Sequence, residues 1–83
     1  MVTQYRAVLY SSDAPARPAV DIGCTVCGGL TSYSDLVLDV MEACSVSSLI
    51  EAKVFVLSGP DKGVVVSFSG DVCTRLNAHW VLR

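Results

Sequence analysis

Charge, histidine and long apolar runs are all scarce in this sequence. Only 17% of its 83 residues are charged, and His79 is its one histidine. The longest apolar runs have four residues, whereas a helix that crosses a membrane needs about 20. The first residues also lack the basic and apolar segments of a signal peptide. We therefore expect a cytoplasmic protein, in the producing cell or a host cell, with reduced thiols and no membrane contact.

An excess of positive charge is missing as well. The formal net charge is −2, so a nucleic-acid partner is not expected, because phosphate binding needs a basic surface. Apolar residues, by contrast, make up 52% of the chain. A chain of this length is expected to form a single compact domain over residues 1–83, which is too small to bury all of that apolar surface. We expect the remainder to be covered by a second copy, forming a homodimer, or by another protein.

The clearest local pattern lies between Ser32 and Cys44. A helical period of about 100° per residue places four side chains on one apolar face, namely Val37, Val40, Met41 and Cys44. Three acids share the opposite face and form an acidic stripe, namely Asp35, Asp39 and Glu42. The Ser32 hydroxyl is placed to cap the first turn. This segment is predicted to be an amphipathic helix, and its acidic stripe is either a partner-binding surface or a plain solvated face.

Strand-like alternation and turn residues define the rest of the fold. They predict three strands, over Val2–Tyr10, Ala52–Ser58 and Val64–Phe68. The last two are joined by turn residues Gly59–Gly63 into a hairpin, and Val20–Ile22 is predicted only as a short extended piece. The strand from Ala52 is apolar on both faces, so we expect it inside the sheet. The predicted fold is α+β, a small single-layer, mostly antiparallel sheet with helices packed on one face, in the order β-α-β-β-α.

A short second helix is predicted near the end of the chain, capped by the segment Ser69–Asp71. Its inner face is expected to carry Val72, Leu76 and Trp80. The helical pattern is clear as far as Asn77. Beyond that residue, the apolar segment His79–Leu82 fits a terminal edge strand as well as a helix.

A pair of cysteines is the sharpest chemical motif. Cys24 and Cys27 are followed by two glycines, and the segment resembles a zinc knuckle of the Cys-x-x-Cys-Gly kind. Because a closed zinc site needs four ligands, the resemblance implies an alternative site made of Cys24, Cys27, Cys73 and His79. No second cysteine pair follows, and Cys44 is predicted to be a buried, core thiol. We therefore favour no metal and no cofactor, with zinc as the alternative.

A thiol redox role for Cys24 is a second alternative. The reactive cysteine of a thioredoxin-like motif lies at a helix N-terminus, which lowers its pKa. Here two glycines separate the motif from the predicted helix, so this role is not favoured. We expect instead a non-enzymatic protein that binds a protein partner stoichiometrically through Asp35, Asp39 and Glu42. This profile also fits an accessory or inhibitory protein of the kind that a virus or phage uses against host machinery.

Overall fold

Four strands and two helices make up the fold. A computed structural model describes residues 2–30 and 32–81, with the side chains of residues 80 and 81 excepted. The elements are β1 Val2–Ser11, β2 Val20–Cys27, α1 Tyr33–Cys44, β3 Leu49–Val56, β4 Val65–Ser69 and α2 Asp71–Val81. The predicted α+β class is confirmed, but the predicted order β-α-β-β-α is wrong because the observed order is β-β-α-β-β-α. Within the described ranges, neither helix has the length and apolar character required to cross a membrane.

The additional strand is β2. Only its first three residues were predicted to be extended, yet the strand continues through Gly23 to Cys27. It pairs with β1 in one unbroken antiparallel register, from Val2 opposite Cys27 to Leu9 opposite Val20. Glycine is depleted in strands, so Gly23 interrupts the strand pattern, although the β-branched residues on either side of it favour an extended chain. Pairing with the neighbouring β1 continues the strand across the glycine.

All neighbouring strands are antiparallel, and their spatial order is β2-β1-β3-β4. The predicted hairpin of β3 and β4 is confirmed. Its turn closes with the Gly63 N–H donating to the Val56 carbonyl oxygen over 2.9 Å. Gly63 has a φ of 95°, a conformation that glycine adopts without a steric penalty. The order leaves β2 and β4 as the two edges of the sheet.

The core lies on one face of the sheet. Side chains alternate between faces along a strand, and β1 buries Tyr5, Ala7 and Leu9 while exposing Gln4 and Arg6. The same core takes residues from both helices, namely Leu36, Val37, Val40, Met41, Cys73 and Leu76. The rings of Tyr5 and Tyr33 meet edge to face, with centroids 6.3 Å apart, which joins the first turn of α1 to β1.

Helix α1 begins and ends with specific backbone contacts. The predicted cap is confirmed, because the Ser32 hydroxyl oxygen accepts the Asp35 N–H at 3.1 Å. At the other end, Ser45 has a left-handed φ of 57°. Its N–H donates to the Glu42 carbonyl oxygen, and the Val46 N–H donates to that of Met41. This pair of bonds is the Schellman motif, here with serine where glycine is usual.

The same turn explains an error about Cys44. The helical period predicts Cys44 on the buried face, but the thiol is exposed. Cys44 is the last residue of α1, and the chain reverses at the next residue. Val46 takes the buried position and joins the core beside Met41.

Helix α2 extends further than the sequence pattern supports. It is helical through Val81, so the alternative of a terminal edge strand is wrong for residues 79–81, while residue 82 lies outside the described residues. Its buried side chains are Cys73 and Leu76, with Val72 half-buried. The Trp80 side chain, predicted on the inner face, also lies outside what the structure describes.

A side-chain amide fixes α2 to the start of β3. The Asn77 Oδ1 accepts the Leu49 N–H at 2.8 Å, and the Asn77 Nδ2 donates to the Leu49 carbonyl oxygen at 2.9 Å. Leu49 is only 2% exposed. One asparagine therefore satisfies both backbone groups of a buried residue that begins a strand.

Candidate functional site

The second face of the sheet, opposite the core, presents a continuous surface, which we call the open face. By strand alternation, it carries the side chains of Arg6 and Val8 on β1, Asp21 on β2, and Lys53 and Phe55 on β3. Most are exposed or half-buried, but Val8 is only 6% exposed. Val8 lies directly between Asp21 and Lys53 in the register. The neighbouring long side chains thus cover the middle of the open face.

Arg6 organises the charge on the open face. Its Nε and Nη2 donate to the two carboxylate oxygens of Asp21 at 2.7 and 2.6 Å, a bidentate pair. The guanidinium carbon also lies 5.6 Å from the centroid of the Phe55 ring, within range of a cation–π contact. The hydrogen bond with Arg6 lowers the pKa of Asp21, and the same pair raises the pKa of Arg6. Arg6 is therefore committed to partners within the chain.

Beside Arg6, the open face carries an apolar patch, defined by Val2, Phe55, Leu57 and Val65. Phe55 is opposite Val65 in the register of β3 and β4. Leu57 continues the pairing one residue past β3, because its N–H donates to the Gln4 carbonyl oxygen at 2.8 Å. Three of the four side chains are well exposed, at 55% for Val2, 45% for Leu57 and 50% for Val65. Clustered apolar exposure of this kind is typical of a protein-binding surface.

Sequence reasoning missed the apolar patch, although the signal was present. The apolar run of β3 predicts only that the strand lies inside the sheet. The strand is indeed internal, lying between β1 and β4. Its core-facing Val54 and Val56 are buried, but Phe55 is only half-buried and Leu57 is exposed. No element of the described ranges packs over that side of the strand.

The acidic stripe is placed as its helical period predicts. Asp35, Asp39 and Glu42 are all exposed, and the opposite face of α1 is buried in the core. Exposure is compatible both with a binding surface and with a solvated face. Partner binding by these three acids therefore stays a prediction.

The structure does not bring the four alternative zinc ligands together. Cys24 and Cys27 are both in β2, and residues three positions apart in a strand point to opposite faces. Cys73 is a buried residue of α2, whereas His79 in the same helix is exposed. Among residues 2–30 and 32–81, no three His, Cys, Asp or Glu side chains are grouped so as to hold a metal ion. The predicted burial of Cys44 was one argument against a metal site, and its exposure removes that argument. The opposite orientation of Cys24 and Cys27 in β2 is a stronger argument against such a site.

The environment of Cys24 also argues against thiol chemistry. Burial raises the pKa of Cys24, and the nearby Cys44 raises it further. The reactive form of a cysteine is the thiolate, so a raised pKa makes Cys24 less reactive near neutral pH. All four cysteines are free thiols in the structure.

Comparison with known proteins adds no relative to this picture. No protein-family model, curated protein or solved structure matches the chain. The functional argument rests on the surfaces described above.

Proposed function

We propose that this chain is a small, non-enzymatic interaction protein that binds a protein partner stoichiometrically. The observation that carries the proposal is the apolar patch on the open face of the sheet. Val2, Leu57 and Val65 each expose about half of their surface, and Val65 lies directly opposite the half-buried Phe55. A partner that covers this patch removes apolar surface from water, which is the main driving force of protein association.

The chemistry of the patch favours a partner with an apolar side chain at the centre of its binding surface. The Phe55 side chain lies between Arg6 and Val65 on the open face. Arg6 and Asp21 lie at the border of the patch with half-exposed side chains. An apolar centre with a polar border is the usual anatomy of a protein interface.

The acidic stripe is proposed as a separate contact. Helix α1 packs on the core face, whereas the apolar patch lies on the other side of the sheet. One flat partner surface does not reach both. Asp35, Asp39 and Glu42 would therefore attract a basic surface, either on a second partner or on one that extends around the sheet edge.

The proposal includes a cytoplasmic location in the producing or host cell. It also includes an accessory or inhibitory role, in which binding itself blocks or modifies the partner. A protein that acts in this way needs no cofactor.

A binding experiment with matched variants tests the proposal. The tagged chain is incubated with extract of the producing or host cell, and captured proteins are identified by mass spectrometry. Val65→Asp places a charge in the apolar patch. Val64→Asp is the control, because Val64 is similarly exposed at 43% but lies on the other face of the hairpin. We expect Val65→Asp to reduce capture of the partner at least about tenfold, a loss typical of a central interface residue.

Further outcomes decide between the surfaces. The captured partner should form a complex of fixed stoichiometry with the purified chain, as measured by light scattering. If Asp35→Lys/Asp39→Lys/Glu42→Lys abolishes capture while Val65→Asp does not, the acidic stripe is the binding surface and the role of the apolar patch is wrong. Equal capture by all variants would refute specific binding through either surface.

A further inference from the structure

Strand β2 is an edge of the sheet with little protection against pairing. It has eight residues and a continuous register with β1. Natural edge strands are usually protected by lysine, proline, a bulge or short length. β2 contains neither lysine nor proline, and its only charged residue, Asp21, is bound by Arg6. The edge is therefore available to another strand.

The hydrogen bonds identify which backbone groups of β2 point outward. The Leu57 N–H donates to the Gln4 carbonyl oxygen. The backbone N–H and C=O groups of the even-numbered residues of β1 therefore point toward β3. The backbone groups of the odd-numbered residues of β1 then point toward β2. The hydrogen bond from the Ala19 N–H to the Leu9 carbonyl oxygen shows the same direction. In the β1–β2 register, odd residues of β1 are opposite even residues of β2. By alternation, the outward backbone groups of β2 belong to Asp21, Gly23, Thr25 and Cys27.

The core-facing side chains of β2 are incompletely covered. Val20 is buried, but Ile22 is 38% exposed, and Cys24 and Val26 are half-buried. All three lie on the core side of the strand, since they are opposite the core-facing residues of β1. The apolar side chains along this edge are therefore only partly covered by the rest of the protein.

We propose that a second copy of this chain pairs with β2 in antiparallel orientation, across a two-fold axis at Cys24. Cys24 is the midpoint of the four outward-facing residues, so this register places Gly23 opposite the partner's Thr25 and Asp21 opposite the partner's Cys27. Every outward N–H and C=O of these residues then has a partner. The two sheets become one sheet of eight strands.

The side chains suit the same register. Cross-strand partners lie on the same face of the sheet, so Ile22 is opposite the partner's Val26 and Cys24 is opposite the partner's Cys24. The three incompletely covered apolar residues of each copy then cover one another. No like charges meet, because Asp21 is opposite a neutral residue. A self-complementary surface of this kind is what two-fold symmetry requires.

This self-association goes beyond the proposed binding of another protein and uses a different surface. The apolar patch lies on the open face, whereas β2 pairs through its edge. Loss of the dimer would leave the proposed function intact, and failure to capture a partner would leave the dimer intact.

Sedimentation equilibrium with two matched variants tests the proposal. Ile22→Lys places a charge in the paired edge, while Ile50→Lys is the control, because Ile50 is similarly exposed at 39% but lies on β3. At about 50 µM, a range in which an association of this kind is measurable, we expect the wild type and Ile50→Lys to be dimers. Ile22→Lys should raise the dimer dissociation constant at least about tenfold, with an unchanged far-UV circular dichroism spectrum. A monomeric wild type, or equal weakening by both variants, would overturn the proposal.

Cysteine cross-linking tests the register without perturbing the edge. One form keeps Cys24 and has Cys27→Ser and Cys44→Ser, and the control form keeps Cys27 and has Cys24→Ser and Cys44→Ser. Cys73 stays in both because it is buried. Diamide accepts one hydrogen from each of two thiols as they join in a disulfide. Cys24 and the partner's Cys24 would form a non-hydrogen-bonded pair with Cα atoms about 4.5 Å apart, within disulfide range.

The control thiols lie far from the axis. Cys27 and the partner's Cys27 are separated by six residue steps, or about 20 Å along the strands. We expect the Cys24 form to give a covalent dimer at least about ten times faster than the Cys27 form, a difference set by that separation. Equally fast cross-linking of the Cys27 form would refute the register.

Discussion

Replacing Asn77 by alanine tests the contact that fixes α2 to the sheet. The change removes both hydrogen bonds to Leu49, at 2.8 and 2.9 Å. Each bond of this type contributes about 0.5–1.5 kcal/mol net, and a buried polar group without a partner costs about 1–3 kcal/mol. Because Leu49 is 2% exposed, water does not readily replace the lost partner.

Helix propensity offsets a part of this loss. Alanine is a better helix former than asparagine by up to about 0.7 kcal/mol. The net cost of Asn77→Ala should therefore be about 2 kcal/mol of unfolding free energy, estimated from the two bonds less this gain. In a domain of this size that corresponds to a fall in Tm of about 8–16 °C.

Urea denaturation followed by circular dichroism measures the effect. Thr74→Ala is the matched control, because Thr74 is exposed in the same helix and gains similar propensity. Its hydroxyl makes one contact, to the Gly70 carbonyl oxygen at 3.5 Å, so its stability should change by less than about 0.5 kcal/mol. Faster exchange of the Leu49 amide hydrogen should accompany the loss of stability in Asn77→Ala. If Asn77→Ala costs no more than Thr74→Ala, the proposed role of the amide is refuted.

Three further predictions concern other parts of the chain. Ser45→Gly should raise the unfolding free energy by about 1 kcal/mol in urea denaturation, because glycine adopts the left-handed φ of 57° without the penalty that serine incurs; a destabilised variant would contradict this. The Arg6–Asp21 pair lowers the folded-state pKa of Asp21. The stabilising effect of the pair is therefore present above the ordinary carboxyl pKa of about 3.9, and it disappears as the pH falls through the lower pKa of the folded state. In Arg6→Gln, the pKa of Asp21 followed by carbon NMR should rise, and an unchanged pKa would show that the pair is not formed in solution. An aromatic disulfide reagent should modify the exposed Cys27 in the folded protein but reach Cys73, which is 2% exposed, only on unfolding; rapid modification of Cys73 would place it at the surface.

Local patterns of the sequence predicted most of the secondary structure. The helical period and the Ser32 cap defined α1, and glycine and proline in the turn defined the β3–β4 hairpin. These signals depend on residues close together in the chain. The prediction ends this extended piece at Ile22 because Gly23 has weak strand propensity, and the pairing with β1 that continues the strand across the glycine is a tertiary effect.

The surfaces were harder to predict than the elements. Whether Phe55 and Leu57 are buried depends on which face of the sheet the helices cover, and sequence period alone does not determine that. Likewise, the position of Cys44 depends on where α1 ends. The pairing of Asn77 with Leu49 joins residues 28 positions apart, and no local pattern reveals it. The exposed acidic stripe was predictable because it requires only the period of one helix.

The internal position of β1 also determines how the chain must fold. Its contacts with β2 are local, since Leu9 is opposite Val20. Its contacts with β3 are distant, since Tyr5 is opposite Val56, 51 residues further along. Closing so long a loop costs entropy before the strand contacts repay it, which slows folding. We therefore expect the first hairpin to form early with one edge of β1 unpaired, so that the rate of β3 pairing would decide how long that edge is open to other chains.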